Sequence, residues 1–129
     1  MPLVRISLRE GKSAQYRRAV ADGVHGALIE AASVPELDRF QILTEHAAAD
    51  LIYDPTYLGI NRTDDIVMIQ ITLNARTQAV KVALYKAIAD RLSKNPGVRP
   101  QDVLVSLVGV QPEDWSFGDG KAQYVKVDS

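Results

Sequence analysis

The sequence predicts an α/β (α+β) fold built from two β-α-β units, with a four-stranded sheet and two helices on one of its faces. Three observations lead there. Strand alternation passes into helical spacing twice along the chain. The two halves also match at a nearly constant offset: Ser13 and Thr77, Val34 and Val98, and Asp38 and Asp102 stand 64 residues apart, while Ile6 and Ile71, and Leu8 and Leu73, stand 65 apart. A duplicated unit whose second turn is one residue shorter accounts for both offsets. Finally, the strands look apolar on both faces while only two helices are available to cover them, so the second face needs another chain against it.

Residues 3–8 alternate, with Val4, Ile6 and Leu8 on one side and Leu3, Arg5 and Ser7 on the other, which is the period of a strand. Glu10-Gly11-Lys12-Ser13 makes a turn with Ser13 as helix N-cap. From Ala14 the apolar positions Tyr16, Val20, Val24, Ala27, Leu28 and Ala31 recur at helical spacing, giving a helix over 14–32. After Ser33-Val34-Pro35, residues 38–44 read as a second strand carrying Phe40, Ile42 and Leu43. Residues 46–64 hold Pro55 and Gly59 and few regular signals, so they form a long loop of the kind that edges a site. The plan then repeats: a very apolar strand over 65–73, a helix capped by Thr77 with Val80, Ala83, Leu84, Ala87, Ile88 and Leu92 as its buried stripe, a stop at Asn95-Pro96-Gly97, and a strand over 103–108. The crossover of each unit is right-handed, which puts both helices on one face. The whole chain, 1–129, fits one domain, with repeat one at about 2–46, a linker at about 47–64, repeat two at about 65–110 and a C-terminal tail at 111–129.

Composition narrows the function. The chain has no Cys and a net charge of −1. It therefore has no disulfide and no thiolate nucleophile, and it lacks the basic footprint of a nucleic-acid binder. Neither a signal peptide nor a membrane span is legible, so a cytoplasmic protein with no membrane partner is expected. No histidine spacing supports a metal site: His25 lies among Asp22, Gly23 and Gly26, and the Glu45-His46 pair reads as surface. Neither a metal nor an organic cofactor is expected.

Met1-Pro2 opens the sequence. Removal of Met1 exposes a secondary amine, whose ordinary pKa lies near 8 and falls with burial or a nearby cation, so it is suited to proton transfer near neutral pH. The same opening also arises merely because proline tolerates loss of the initiator. Other residues have two readings as well. Asp38, at a strand start, reads as a turn cap or as a catalytic carboxylate. Arg76 precedes the Thr77 cap, where a cation meets the unfavourable end of a helix dipole, which leans towards a ligand role. Trp115 and Phe117 suit a core, a subunit contact or a pocket wall.

Three motifs carry a family resemblance: Val34-Pro35-Glu36-Leu37-Asp38-Arg39-Phe40-Gln41, Asn74-Ala75-Arg76, and Asp114-Trp115-Ser116-Phe117-Gly118. With Pro2 and the Glu-Gly-Lys-Ser turn, they make essentially the whole chain resemble the tautomerase superfamily, and within it the malonate semialdehyde decarboxylase branch. The resemblance implies a tautomerase-like fold assembling as a homotrimer. It also implies cofactor-free chemistry on small oxo-carboxylate substrates, by keto-enol tautomerisation or by decarboxylase and hydratase reactions. By the same resemblance Pro2 is the acid or base, Asp38 orients water and influences Pro2, Arg76 holds the substrate carboxylate, and Trp115 and Phe117 wall the pocket. Asn74 departs from the branch, which has a second arginine there, so it offers a substrate hydrogen bonds without charge. A non-catalytic trimer binding ligands on the same scaffold is the contrasting expectation.

Overall fold

The computed structural model describes residues 1–126, and it contains both β-α-β units. Strand β1 (Pro2–Arg9), helix α1 (Ala14–Ala32) and strand β2 (Phe40–His46) form the first; β3 (Val67–Asn74), α2 (Gln78–Lys94) and β4 (Val103–Val110) form the second. Both helices begin at the predicted caps. The Ser13 side chain accepts from the backbone N–H of Tyr16 and that of Thr77 from Val80, each satisfying a donor that the first helical turn leaves open.

The sheet order is β2-β1-β3-β4. β1 runs parallel to β2, β3 parallel to β4, and the central pair β1/β3 is antiparallel. A pseudo-twofold axis therefore passes between β1 and β3. As a result, β1 and β2 start, and β3 and β4 end, at the same pole of the sheet.

The core lies between one sheet face and the two helices. Val4, Ile6 and Leu8 of β1 and Val67, Ile69, Ile71 and Leu73 of β3 pack against Val20, Val24 and Leu28 of α1 and Leu84, Ile88 and Leu92 of α2. The helices approach so closely that a Cβ at Gly23 would stand 2.7 Å from the Leu92 side chain, so the glycine is there for its missing side chain. The opposite face keeps its apolar residues in the open, among them Phe40 (49% exposed), Ile42, Leu104 and Val108.

Three local expectations change. Strand β2 starts at Phe40 rather than at 38, because Asp38 N–H bonds back to the Pro35 carbonyl at 3.0 Å and so belongs to a turn. The 46–64 loop holds two short 3-10 turns, Ala48–Asp50 and Tyr57–Gly59. His46 is half-buried rather than a surface residue, while Glu45 pairs with Arg17 on the outside. The final residues of the expected tail, 127–129, lie outside the described residues. Among the described residues, no helix is long and apolar enough to cross a membrane.

At the second pole, Asp102 is completely buried. Its carboxylate accepts from the Thr63 backbone N–H at 2.7 Å and from the Thr63 hydroxyl at 2.6 Å, so the charge is held by a loop rather than by solvent.

Candidate active site

The first pole gathers every residue singled out from the sequence. Pro2 opens β1, Asp38 ends the turn before β2, Asn74 closes β3, Arg76 stands in the β3–α2 connection, and Trp115 and Phe117 follow β4. Their convergence is topological, since these are the strand starts and ends that the pseudo-twofold places together.

Asp38 is the chemically conspicuous member. Its side chain is only 9% exposed, Oδ2 lies 3.7 Å from the chain's amino nitrogen, and Oδ1 is buried with no hydrogen-bond partner among the described residues. A buried carboxylate oxygen without a donor is costly, and such atoms persist where a site uses them. The amino group feels three influences. Burial, the largest, pushes its pKa below the ordinary value; the Arg76 guanidinium acts in the same direction, and the Asp38 charge opposes both. With Met1 in place this amine belongs to Met1, and the Pro2 nitrogen is an amide next to it.

Arg76 sits differently from the expectation. In sequence it precedes α2, but its guanidinium lies against the last carbonyl of α1: Nε and Nη2 each donate to Ala32 O at 3.4 Å, and Nη1 donates to Asn74 O at 2.7 Å and Ala75 O at 3.4 Å. A cation there meets the negative end of a helix dipole, which is the favourable end.

The aromatic wall is continuous. Trp115 and Phe117 stack with centroids 5.5 Å apart, Phe117 continues to Phe40 at 6.2 Å, and Tyr124 meets Phe117 edge-on at 5.0 Å. Leu3, Phe40, Trp115, Ser116 and Phe117 line a depression of about 220 Å³. Pro2, Asp38 and Arg76 are not in that lining. Pro2 alternates with Val4 on the helix-covered side of the sheet, whereas Leu3 and Phe40 pair on the other, so the wall and the amine flank the sheet edge from its two sides. Asn74 joins the groups: its side-chain oxygen accepts from the Trp115 indole at 2.8 Å and its backbone carbonyl accepts from Arg76.

His25, no metal ligand by its spacing, supports this pole in another way. His25 is buried on α1 and its Nε2 lies 2.7 Å from the Glu36 carbonyl. A carbonyl only accepts, so Nε2 carries the proton, and the bond ties the turn bearing Asp38 to the helix. Its place one residue after Val24, on the apolar stripe, was the available signal.

Two family models described as tautomerase enzyme match the chain, over residues 38–118 and 2–61. "Probable tautomerase YusQ" of Bacillus subtilis is 42% identical over 98% of this chain and all of its own. A malonate semialdehyde decarboxylase, solved to explain its decarboxylase and hydratase activities, superposes with a TM-score of 0.91 at 32% identity, covering 95% of each chain. A fused 4-OT described as a symmetric trimer has the same fold, with a TM-score of 0.76 at 23% identity over 92% of this chain and 94% of its own.

Proposed function

The chain belongs to the tautomerase family of enzymes, and from that premise we propose that Pro2, freed by removal of Met1, moves a proton on a small oxo-carboxylate lying between Arg76 and the Trp115–Phe117 wall. The observation that carries this reading is the buried Asp38 carboxylate, one oxygen facing the chain's amino nitrogen and the other without a partner. Arg76 takes the carboxylate by exchanging its two 3.4 Å contacts with Ala32, which are weak at that length. The aromatic rings keep water from the enol.

The electrostatics favour a base. Burial and Arg76 both depress the Met1 amine at this pole; the Pro2 amine exposed by processing meets the same neighbours, and in its neutral form a secondary amine abstracts a proton from carbon and returns it to the enol oxygen, or the reverse. Keto-enol tautomerisation is thus the leading reaction. The cationic form polarises a carbonyl instead, which serves decarboxylation of a 3-oxo acid: the bond to the carboxylate breaks, carbon dioxide leaves, and the enolate is protonated at carbon. Spectroscopic assays on the enol of phenylpyruvate and on malonate semialdehyde decide between them. Faster ketonisation is expected, and a fully Met1-free sample inert towards both overturns the reading.

The pH profile supplies a directional check. Asp38 raises the amine pKa and Arg76 lowers it, so Asp38→Asn should move the rising limb of kcat/KM for ketonisation to lower pH and Arg76→Ala should move it to higher pH. Limbs that stay in place in both variants mean that the titrating group is elsewhere.

We also propose a homotrimer, supported by the uncovered face with Phe40, Ile42, Leu104 and Val108 partly exposed, a patch that monomers rarely leave open. Sedimentation at micromolar concentration is expected to report three chains; a stable monomer refutes it.

A further inference from the structure

We propose that Asn74 is a positioning residue that clamps the aromatic wall in place through Trp115. The inference builds on the pocket assignment above, while its main readout needs no substrate.

Beyond β4 the chain has little to hold it. After the 3-10 turn Pro112–Asp114, residues 115–126 form no helix or strand, and their own hydrogen bonds are internal, such as Gln123 accepting from the Phe117 N–H at 2.9 Å and donating to the Gly118 carbonyl at 2.8 Å. Stacking of Phe117 on Phe40 links the segment to β2, but stacking tolerates sliding. Among the described residues, the single hydrogen bond from this segment to the sheet is Trp115 Nε1 to Asn74 Oδ1, 2.8 Å long and part-buried.

The chemistry of the pair is one-way. An indole N–H only donates, so the residue at 74 must present an acceptor. Asn does so and keeps its NH₂ available as a neutral donor, whereas arginine or lysine has no acceptor to give. Because the Asn74 backbone, not its side chain, receives Arg76, a side-chain substitution at 74 releases the wall without removing the carbonyl that holds the cation. The residue thus sets where the wall stands relative to the carboxylate anchor.

Trp115 is the only tryptophan in the chain, so emission excited beyond the tyrosine band reports on the surroundings of this one side chain, where the Asn74 contact lies. Asn74→Ala should shift the emission to the red and increase acrylamide quenching, and Asn74→Arg should do the same. Asn74→Asp keeps an acceptor oxygen and should leave the emission near that of the parent, while its new negative charge raises KM for carboxylated substrates. In the assay, Asn74→Ala should raise KM about 2- to 10-fold, the range of one lost hydrogen bond, with kcat nearly kept; Trp115→Phe should do likewise, and the double variant should add little more. Unchanged emission and quenching in Asn74→Ala, or an Asp variant as red-shifted as the Ala one, overturns the clamp. A fluorescence response in a protein without oxo-acid activity leaves the clamp standing and removes the pocket assignment instead.

Discussion

A preparation in which every chain keeps Met1 is expected to ketonise enols about 10²- to 10⁴-fold more slowly than the fully processed protein, the usual contribution of a positioned acid or base. In the Met1-Pro2 peptide the proline nitrogen shares its lone pair with a carbonyl and carries neither a proton to give nor the basicity to take one. The Met1 amine is no replacement, because it is displaced by a residue and drawn towards Asp38 at 3.7 Å. Intact mass gives the processed fraction of each preparation, and activity should rise in proportion to it. Pro2→Ala, after the same processing, retains an amine at that place and should fall between the two. Full activity in a sample wholly retaining Met1 removes proline from the mechanism.

Arg76→Ala should lower kcat/KM by roughly 10- to 150-fold for every carboxylated substrate, corresponding to about 1.5–3 kcal/mol for a hydrogen bond to a charged group. The variant also loses the bonds to the carbonyls of Ala32, Asn74 and Ala75, so a general loosening of the pole needs to be told apart from loss of the anchor. An enolisable aldehyde without a carboxylate makes that separation. It has nothing for the guanidinium to hold and should lose little, whereas a collapsed pole would penalise both substrates alike. Equal rates for parent and variant on all acids place the carboxylate elsewhere.

Much of this architecture is legible in the chain because it is local. Alternation at Val4, Ile6 and Leu8 and the caps at Ser13 and Thr77 are properties of a few adjacent residues, and the structure has them where the sequence puts them. The tautomerase resemblance likewise rests on short motifs that remain intact. What the sequence withholds is long-range. Arg76 reads as an ill-placed cation until α1 is seen to end beside it, since Ala32 is 44 residues away along the chain. The partner of Asn74 is 41 residues off, and from sequence its side chain is simply a neutral donor. The start of β2 differs from the expected 38 because an aspartate after a proline suits a turn and a strand entrance equally well.

The pseudo-twofold has a consequence for how selection can act on the two halves. Duplication copies side chains but not a chain terminus: where the first pole has the amine of Pro2 at the head of β1, the second has Val67 at the head of β3, buried and joined to Ile66 by an ordinary peptide bond. Asp38 and Asp102 occupy equivalent places in the repeat, yet the first keeps an oxygen unclaimed while the second has both engaged by Thr63. A chain that contains the unit twice has one amino terminus, so only one pole can carry an amine-dependent centre, and the other end serves as fastening. On the proposed mechanism, position 38 answers to turnover and position 102 to folding, so two aspartates at equivalent places in the repeat serve different ends.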